Sequence, residues 1–191
     1  MKHKLIVMMA PSGVGKTYLA NYIKDSHEDV VIVSRDKIRA AVLGSEEWSE
    51  DLEVKVKQNY FEAITKMLKT HNIVIADATH LTLNSRQELF EGISIPGNTE
   101  IVGVWIESSV STAIKQNAAR PKNLQVPEKT IEDMFRYAVS PREWEPFDNM
   151  VYLMRETNIG IHGKQLDIKN VFGLQYLFFR LNSFSVFSVM N

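Results

Sequence analysis

The 191-residue chain contains no cysteine, which excludes a disulfide framework, a thiolate metal site and a cysteine nucleophile. Neither charge sign dominates. Twenty-two Lys and Arg against 23 Asp and Glu leave a formal net charge of -1, so nothing overall draws the chain to a long polyanion, although a local basic cleft is compatible with a neutral protein. Long hydrophobic runs are missing too. The basic residues 1–4 precede an apolar run at 5–10 that is too short for the hydrophobic region of a signal peptide, and a glycine-rich turn follows at once. Near the end of the chain a stretch rich in Phe, Leu and Val is broken by Arg180, Asn182 and serines, a poor match to the roughly 20 apolar residues of a membrane span. These absences predict a cytoplasmic protein with no membrane segment. No internal repeat is visible.

What is present reads as a globular domain, with 45% hydrophobic and 24% charged residues. Apolar runs at 5–9, 30–33, 73–76, 101–106 and 150–154 show no polar alternation, the habit of parallel strands covered on both faces by helices. Between them, Leu52, Val56, Tyr60, Ile64 and Met67 recur at three- or four-residue spacing and predict a helix within 48–70. Shorter helices are predicted at 15–24, 36–43, 83–91, 110–119 and 127–139, the last with Pro127 at its start and Glu128 in its first turn. The expected fold is an α/β three-layer sandwich with a mostly parallel sheet of about five strands. Residues 1–155 form the predicted domain, and 156–191 are an extension whose composition suits packing on the domain, on a second copy in a homo-oligomer, or on a partner protein.

Residues 10–17 read Ala-Pro-Ser-Gly-Val-Gly-Lys-Thr, directly between a predicted strand and a predicted helix. This is the Walker A pattern with Ala10 in the first glycine position. Backbone N–H groups of Ser12, Gly13, Val14 and Gly15 would curl round phosphate oxygens, with the positive end of the following helix aimed at them. Lys16 would reach the β- and γ-phosphates of ATP, and the Thr17 hydroxyl would ligate Mg2+. An Asn-Lys-x-Asp guanine signature is lacking, and the strand at 73–76 ends in the single acid Asp77, so a small kinase is favoured over a GTPase or a motor.

After the second predicted strand comes Ser-Arg-Asp-Lys-Ile-Arg at 34–39. Ligands of open parallel sheets gather outside the carboxyl ends of the strands, which places Asp36 and Arg39 at the same crevice as the phosphate loop. Their spacing of three puts a carboxylate and a guanidinium on one helix face. Such a pair serves either as a base beside an anion clamp or as a surface ion pair, with Asp36 equally able to cap the helix.

Four blocks in this order and spacing, residues 10–17, 34–36 with Arg39, Asp77-Ala-Thr-His at 77–80, and Gln-Asn-Ala-Ala-Arg at 116–120 followed by Val126 and Pro127, make residues 4–153 resemble the kinase domain of phage and bacterial polynucleotide 5'-hydroxyl kinases. That group sits among small P-loop kinases that also include the zeta-toxin-like sugar kinases. The resemblance implies that Asp36 is the general base for the acceptor hydroxyl, and that Arg39 contacts the phosphate on the 3' side of the terminal nucleoside. It implies too that Arg120 belongs to a lid, about 117–130, that grips the donor phosphates, and that Asp77, with Thr79 beside it, organises the metal or acceptor end of the site. The chain departs from that group in having His80 where Asn is typical. His80 is either a catalytic base or a hydrogen-bonded structural residue. Arg86 either lines the acceptor groove or lies on a solvated helix face, and Trp144 could stack a base, whereas Tyr60 and Trp105 lie on core patterns.

The expectation is a magnesium-dependent kinase that moves the γ-phosphoryl group of ATP to the 5'-hydroxyl end of RNA or DNA, with Lys16, Asp36 and Arg120 as its catalytic residues. Its rivals are a kinase of a small molecule such as a nucleoside, nucleotide-sugar or antibiotic, and an ATP-binding module that switches a partner without turnover.

Overall fold

A computed structural model describes residues 3–44, 49–155 and 184–190. Five strands, β1 (His3–Met9), β2 (Val30–Ser34), β3 (Ile73–Asp77), β4 (Thr99–Glu107) and β5 (Asn149–Arg155), run parallel. A sixth, β6 (Phe184–Met190), pairs antiparallel to β5, and the sheet order is β2-β3-β1-β4-β5-β6. The expected parallel sheet is therefore present, with one further strand supplied by the C-terminal extension. The rest of that extension, 156–183 and 191, lies outside the described residues.

Successive residues of a strand point to opposite faces, and β1 uses this to serve two cores. Ile6 and Met8 join Leu19 and Ile23 of α1 (Lys16–Ser26), Ala113 of α5 (Val110–Ala118) and Ile131 of α6 (Glu128–Tyr137). Leu5, Val7 and Met9 join Tyr60 and Ile64 of α3 (Glu50–Met67) and Leu89 of α4 (Leu83–Gly92) on the other side. All five of these β1 residues are fully buried, each worth about 1.5 to 3 kcal/mol of transfer free energy. Helices on both faces explain why the strands read as continuous apolar runs.

The helix starts are chemically marked. Ser49 caps α3 by accepting from the Leu52 N–H, with Glu50, Asp51 and Glu53 in the first turn against the helix dipole. Thr82 and Ser85 form a reciprocal capping box on α4. Unlike these, α2 (Arg35–Leu43) buries none of its residues and lies against α3 at the carboxyl end of β2. Among the described residues no helix is long and apolar enough to cross a membrane.

Candidate active site

The loop between β1 and α1 turns on Gly13 (φ 82°) and Gly15 (φ 105°), both in the left-handed region that side chains disfavour. Space reinforces the choice at Gly13, where a β-carbon would collide with the carbonyl of Ala113 on α5. Gly15 is the N-cap of α1 and supplies no side-chain cap, so the first N–H groups of the helix point to the loop without such a partner. Residue choice, backbone and helix end together form a nest for an anion.

Lys16 folds its ammonium back into this loop, donating to the carbonyls of Ala10 at 2.8 Å and Pro11 at 2.9 Å. Withdrawal from water pushes its pKa down to about 8, against the pull of Asp77 and Asp36 and with help from Arg120. Thr17 donates its hydroxyl to Asp77 Oδ2 at 3.2 Å. Asp77 is buried at the end of β3, and burial raises its pKa in spite of Lys16 and the Thr17 hydroxyl. The loop is also tied to the β3 end through the Ala10 N–H and the Thr79 carbonyl at 3.1 Å.

These groups line a cleft of about 430 Å³ together with Arg35, Asp36, Arg39, Thr79 and Arg120. Four cationic and two acidic side chains thus face one cavity in a chain whose net charge is -1. The sequence-predicted residues Ser12, Gly13, Gly15, Lys16, Thr17, Asp36, Arg39, Asp77, Thr79 and Arg120 all lie on it, and Val14 is buried beneath the loop. Asp36 stands in the first turn of α2 with its carboxylate 84% exposed and paired to Arg39 Nη1 at 2.7 Å. Arg39 is therefore both an ion-pair partner of Asp36 and part of the cleft wall.

Arg120 follows α5, and its guanidinium reaches the Leu124 carbonyl at 3.4 Å. The loop that carries it is clasped at its base: buried Asn117 donates to the Val126 carbonyl at 2.7 Å and accepts from the Val126 N–H at 2.9 Å. Gln125 donates to the carbonyls of Ala118 and Arg120, so the whole excursion is held by side-chain amides.

Arg86 requires a correction. It does not reach the cleft but is fully buried, forking onto Glu145 at 2.5 and 2.9 Å and donating to the carbonyls of His80 and Val139. A buried guanidinium needs a paired carboxylate and further acceptors, and this one finds both by tying the segment after β3 to the segment after α6. Trp144, one residue before that carboxylate, is 74% exposed and does not line the cleft. His80 is also buried, its Nε2 3.0 Å from the Tyr60 hydroxyl and its ring stacked on that of Tyr60. The contributions that sequence reasoning missed are Arg35 and Glu53. Glu53 comes from α3 and binds Arg35 and Arg39 at once, and spacings of 14 and 18 residues give no local signal of such a contact.

A family model described as AAA domain matches residues 5–141. The chain belongs to the AAA domain family. Solved structures similar to this AAA domain include a chain of the Pnkp1/Rnl/Hen1 RNA repair complex, 23% identical over 71% of this chain with a TM-score of 0.59. They include a fungal RNA kinase (15% identity, 78% of this chain and 73% of that chain, TM-score 0.55). A sugar kinase from Janibacter sp. HTCC2649 is also similar (14% identity, 81% and 86%, TM-score 0.55). This AAA domain spans only 43% of the RNA repair chain. No curated protein matches it significantly. At these identities the likenesses show the fold, which is that of P-loop kinases.

Proposed function

We propose that this AAA domain transfers the γ-phosphoryl group of ATP to the 5'-hydroxyl end of a nucleic acid. The observation that carries the proposal is the placing of an exposed carboxylate, Asp36, paired to Arg39, on the same cleft as the phosphate nest and the loop lysine. In the reaction, Asp36 accepts the proton of the acceptor hydroxyl as that oxygen attacks. Lys16 leaves its two loop carbonyls for the donor phosphates, and Arg120 meets the charge on the transferring group. Positioning and electrostatics supply most of such a rate enhancement.

The residues present fit a magnesium ion. The Thr17 hydroxyl and the Asp77 carboxylate converge within hydrogen-bond distance, and such hard oxygen donors, completed by phosphate oxygens and water, are what Mg2+ accepts. Once bound there, the ion would neutralise phosphate charge. Arg39 gives the acceptor preference, its guanidinium taking the phosphate on the 3' side of the reacting nucleoside. One charge-assisted contact of that kind is worth about 1.5 to 3 kcal/mol, roughly a tenfold to 150-fold preference for an acceptor that carries the phosphate.

A screen with labelled ATP against 5'-hydroxyl oligonucleotides, nucleosides and nucleotide-sugars tests the reading. Label should enter the oligonucleotides, and Asp36→Asn should collapse kcat while ATP affinity stays close to that of the wild type. Label entering only a sugar or a nucleoside would transfer the assignment to a small-molecule kinase. Stoichiometric ATP binding with no acceptor-dependent turnover would leave a switch module.

A further inference from the structure

Arg39 does not stand alone on its wall. Its Nε and Nη2 donate to the two oxygens of Glu53 at 3.0 and 2.8 Å, and Arg35 Nη2 reaches Oε1 of the same carboxylate at 2.7 Å. Both guanidiniums line the cleft, whereas Glu53 does not. The carboxylate therefore stands off the cleft lining and joins the two arginines, holding the Nε/Nη2 edge of Arg39 and Nη2 of Arg35. Arg35 Nε is buried and has no hydrogen-bond partner among the described residues, so any grip by Arg35 on a ligand falls to its terminal nitrogens. Because one oxygen of Glu53 touches both Nη2 atoms, the two guanidiniums sit close enough for a single tetrahedral anion to meet both.

We infer that Glu53 is a positioning residue for a two-arginine clamp, and that Arg35 is the second grip on the acceptor phosphate assigned to Arg39. The inference rests on the polynucleotide-kinase reading given above and adds to it the residues that set acceptor affinity. Long arginine side chains lose rotamer freedom when they bind, and a carboxylate that fixes their forks beforehand removes that cost from the binding step. The mutual effect of the pair keeps it ionised, since Arg39 holds the Glu53 carboxyl low and Glu53 holds the Arg39 guanidinium high. Asp36 takes the remaining Nη1 edge of Arg39 at 2.7 Å, which links the base to the clamp through one guanidinium.

The test compares cytidine 3'-monophosphate with cytidine as acceptors, measuring kcat and KM for wild type, Glu53→Ala, Arg35→Ala, Arg39→Ala and the Glu53→Ala/Arg39→Ala double variant. Glu53→Ala should raise KM for the 3'-monophosphate about tenfold, the scale of one charge-assisted hydrogen bond, with kcat, the KM of ATP and the reaction of cytidine unchanged. Arg35→Ala should give a loss of the same order. In the double variant the loss of preference should be smaller than the two single losses combined, because Glu53 acts in part through Arg39 and keeps an effect only through Arg35. If Glu53→Ala does not unfold cooperatively, Glu53→Gln, which keeps shape and one acceptor oxygen, should show a smaller loss in the same direction. A preference that is unchanged, or a KM that falls, in a folded Glu53 variant overturns the inference while the polynucleotide reading stands. A wild type with no preference for the 3'-monophosphate removes the Arg39 assignment itself, and the clamp with it.

Discussion

Replacing His80 by Asn probes a titration that the fold has suppressed. His80 is 3% exposed, holds φ at 42°, and has its pKa pushed down to about 3, first by burial and then by Arg35, Lys16 and Arg86. The folded value lies below the ordinary 6.5, so the neutral ring contributes its full stability above pH 6.5. That contribution is lost as pH falls from 6.5 toward 3, where the unfolded chain takes up a proton that the folded chain refuses. At about 1.36 kcal/mol per unit of pH, the wild type should lose about 2 kcal/mol between pH 7 and pH 5 through this residue, or roughly 4 to 8 °C in Tm for a chain of this size. Asn accepts a positive φ and does not titrate, so His80→Asn should remove that part of the pH dependence even though it lowers stability at pH 7 by leaving the Tyr60 hydroxyl without its partner. Urea unfolding of both proteins at pH 7 and pH 5 measures the difference of differences. Equal losses in the two proteins would show that His80 takes up its proton as readily in the folded chain as in the unfolded one, and would refute the reasoning. Geometry has a functional corollary: a ring hydrogen-bonded to Tyr60 and away from the cleft lining fits the structural reading of His80 better than the catalytic one.

Gly13→Ala should both strain the loop, by about 1 to 3 kcal/mol for a side chain at positive φ, and force it away from Ala113, so calorimetric titration should find ATP binding weakened at least tenfold. Arg86→Met should cost about 3 to 5 kcal/mol in urea unfolding by stranding the Glu145 carboxylate, and the paired change with Glu145→Leu should recover a large part of it. Asn117→Ala opens the clasp on Val126 and should lower kcat more than it raises the KM of ATP, because the loop's arginine engages as charge develops on the transferring group; steady-state kinetics separate the two effects. Arg120→Lys should behave nearly as badly as Arg120→Ala in the same assay, since an ammonium cannot present a planar fork.

Much of this architecture could be read from the residues because both faces of the sheet are covered. A strand that is apolar throughout, such as 73–76, is unmistakable in sequence, and the stripe from Leu52 to Met67 located α3, with Val56, Tyr60 and Ile64 fully buried. The phosphate loop was legible for a different reason: its geometry demands glycine at fixed offsets, and φ values of 82° and 105° are that demand in physical form. Charged residues were read less well. Arg86 looked like a groove or surface cation because its carboxylate partner lies 59 positions away, and nothing local distinguishes a guanidinium destined for the core. Glu53 escaped notice likewise, since its partners lie on another helix and meet it only after α2 has settled against α3. Pairings made by tertiary folding carry no period, whereas burial of a whole element does.

The strand order has a consequence of its own. Because β3 lies between β1 and β2, the loop that carries Lys16 and the turn that carries Asp36 leave strand ends two ladder spacings apart, which is about 10 Å. Neighbouring strands would leave about 5 Å, room for a phosphate but not for a phosphate with an oxygen approaching from its far side. The inserted strand thus acts as a ruler, and its backbone hydrogen bonds fix the gap far more tightly than two flexible loops could. Asp77 is the mark at its end, level with Met8 of β1 on one side and Ser34 of β2 on the other.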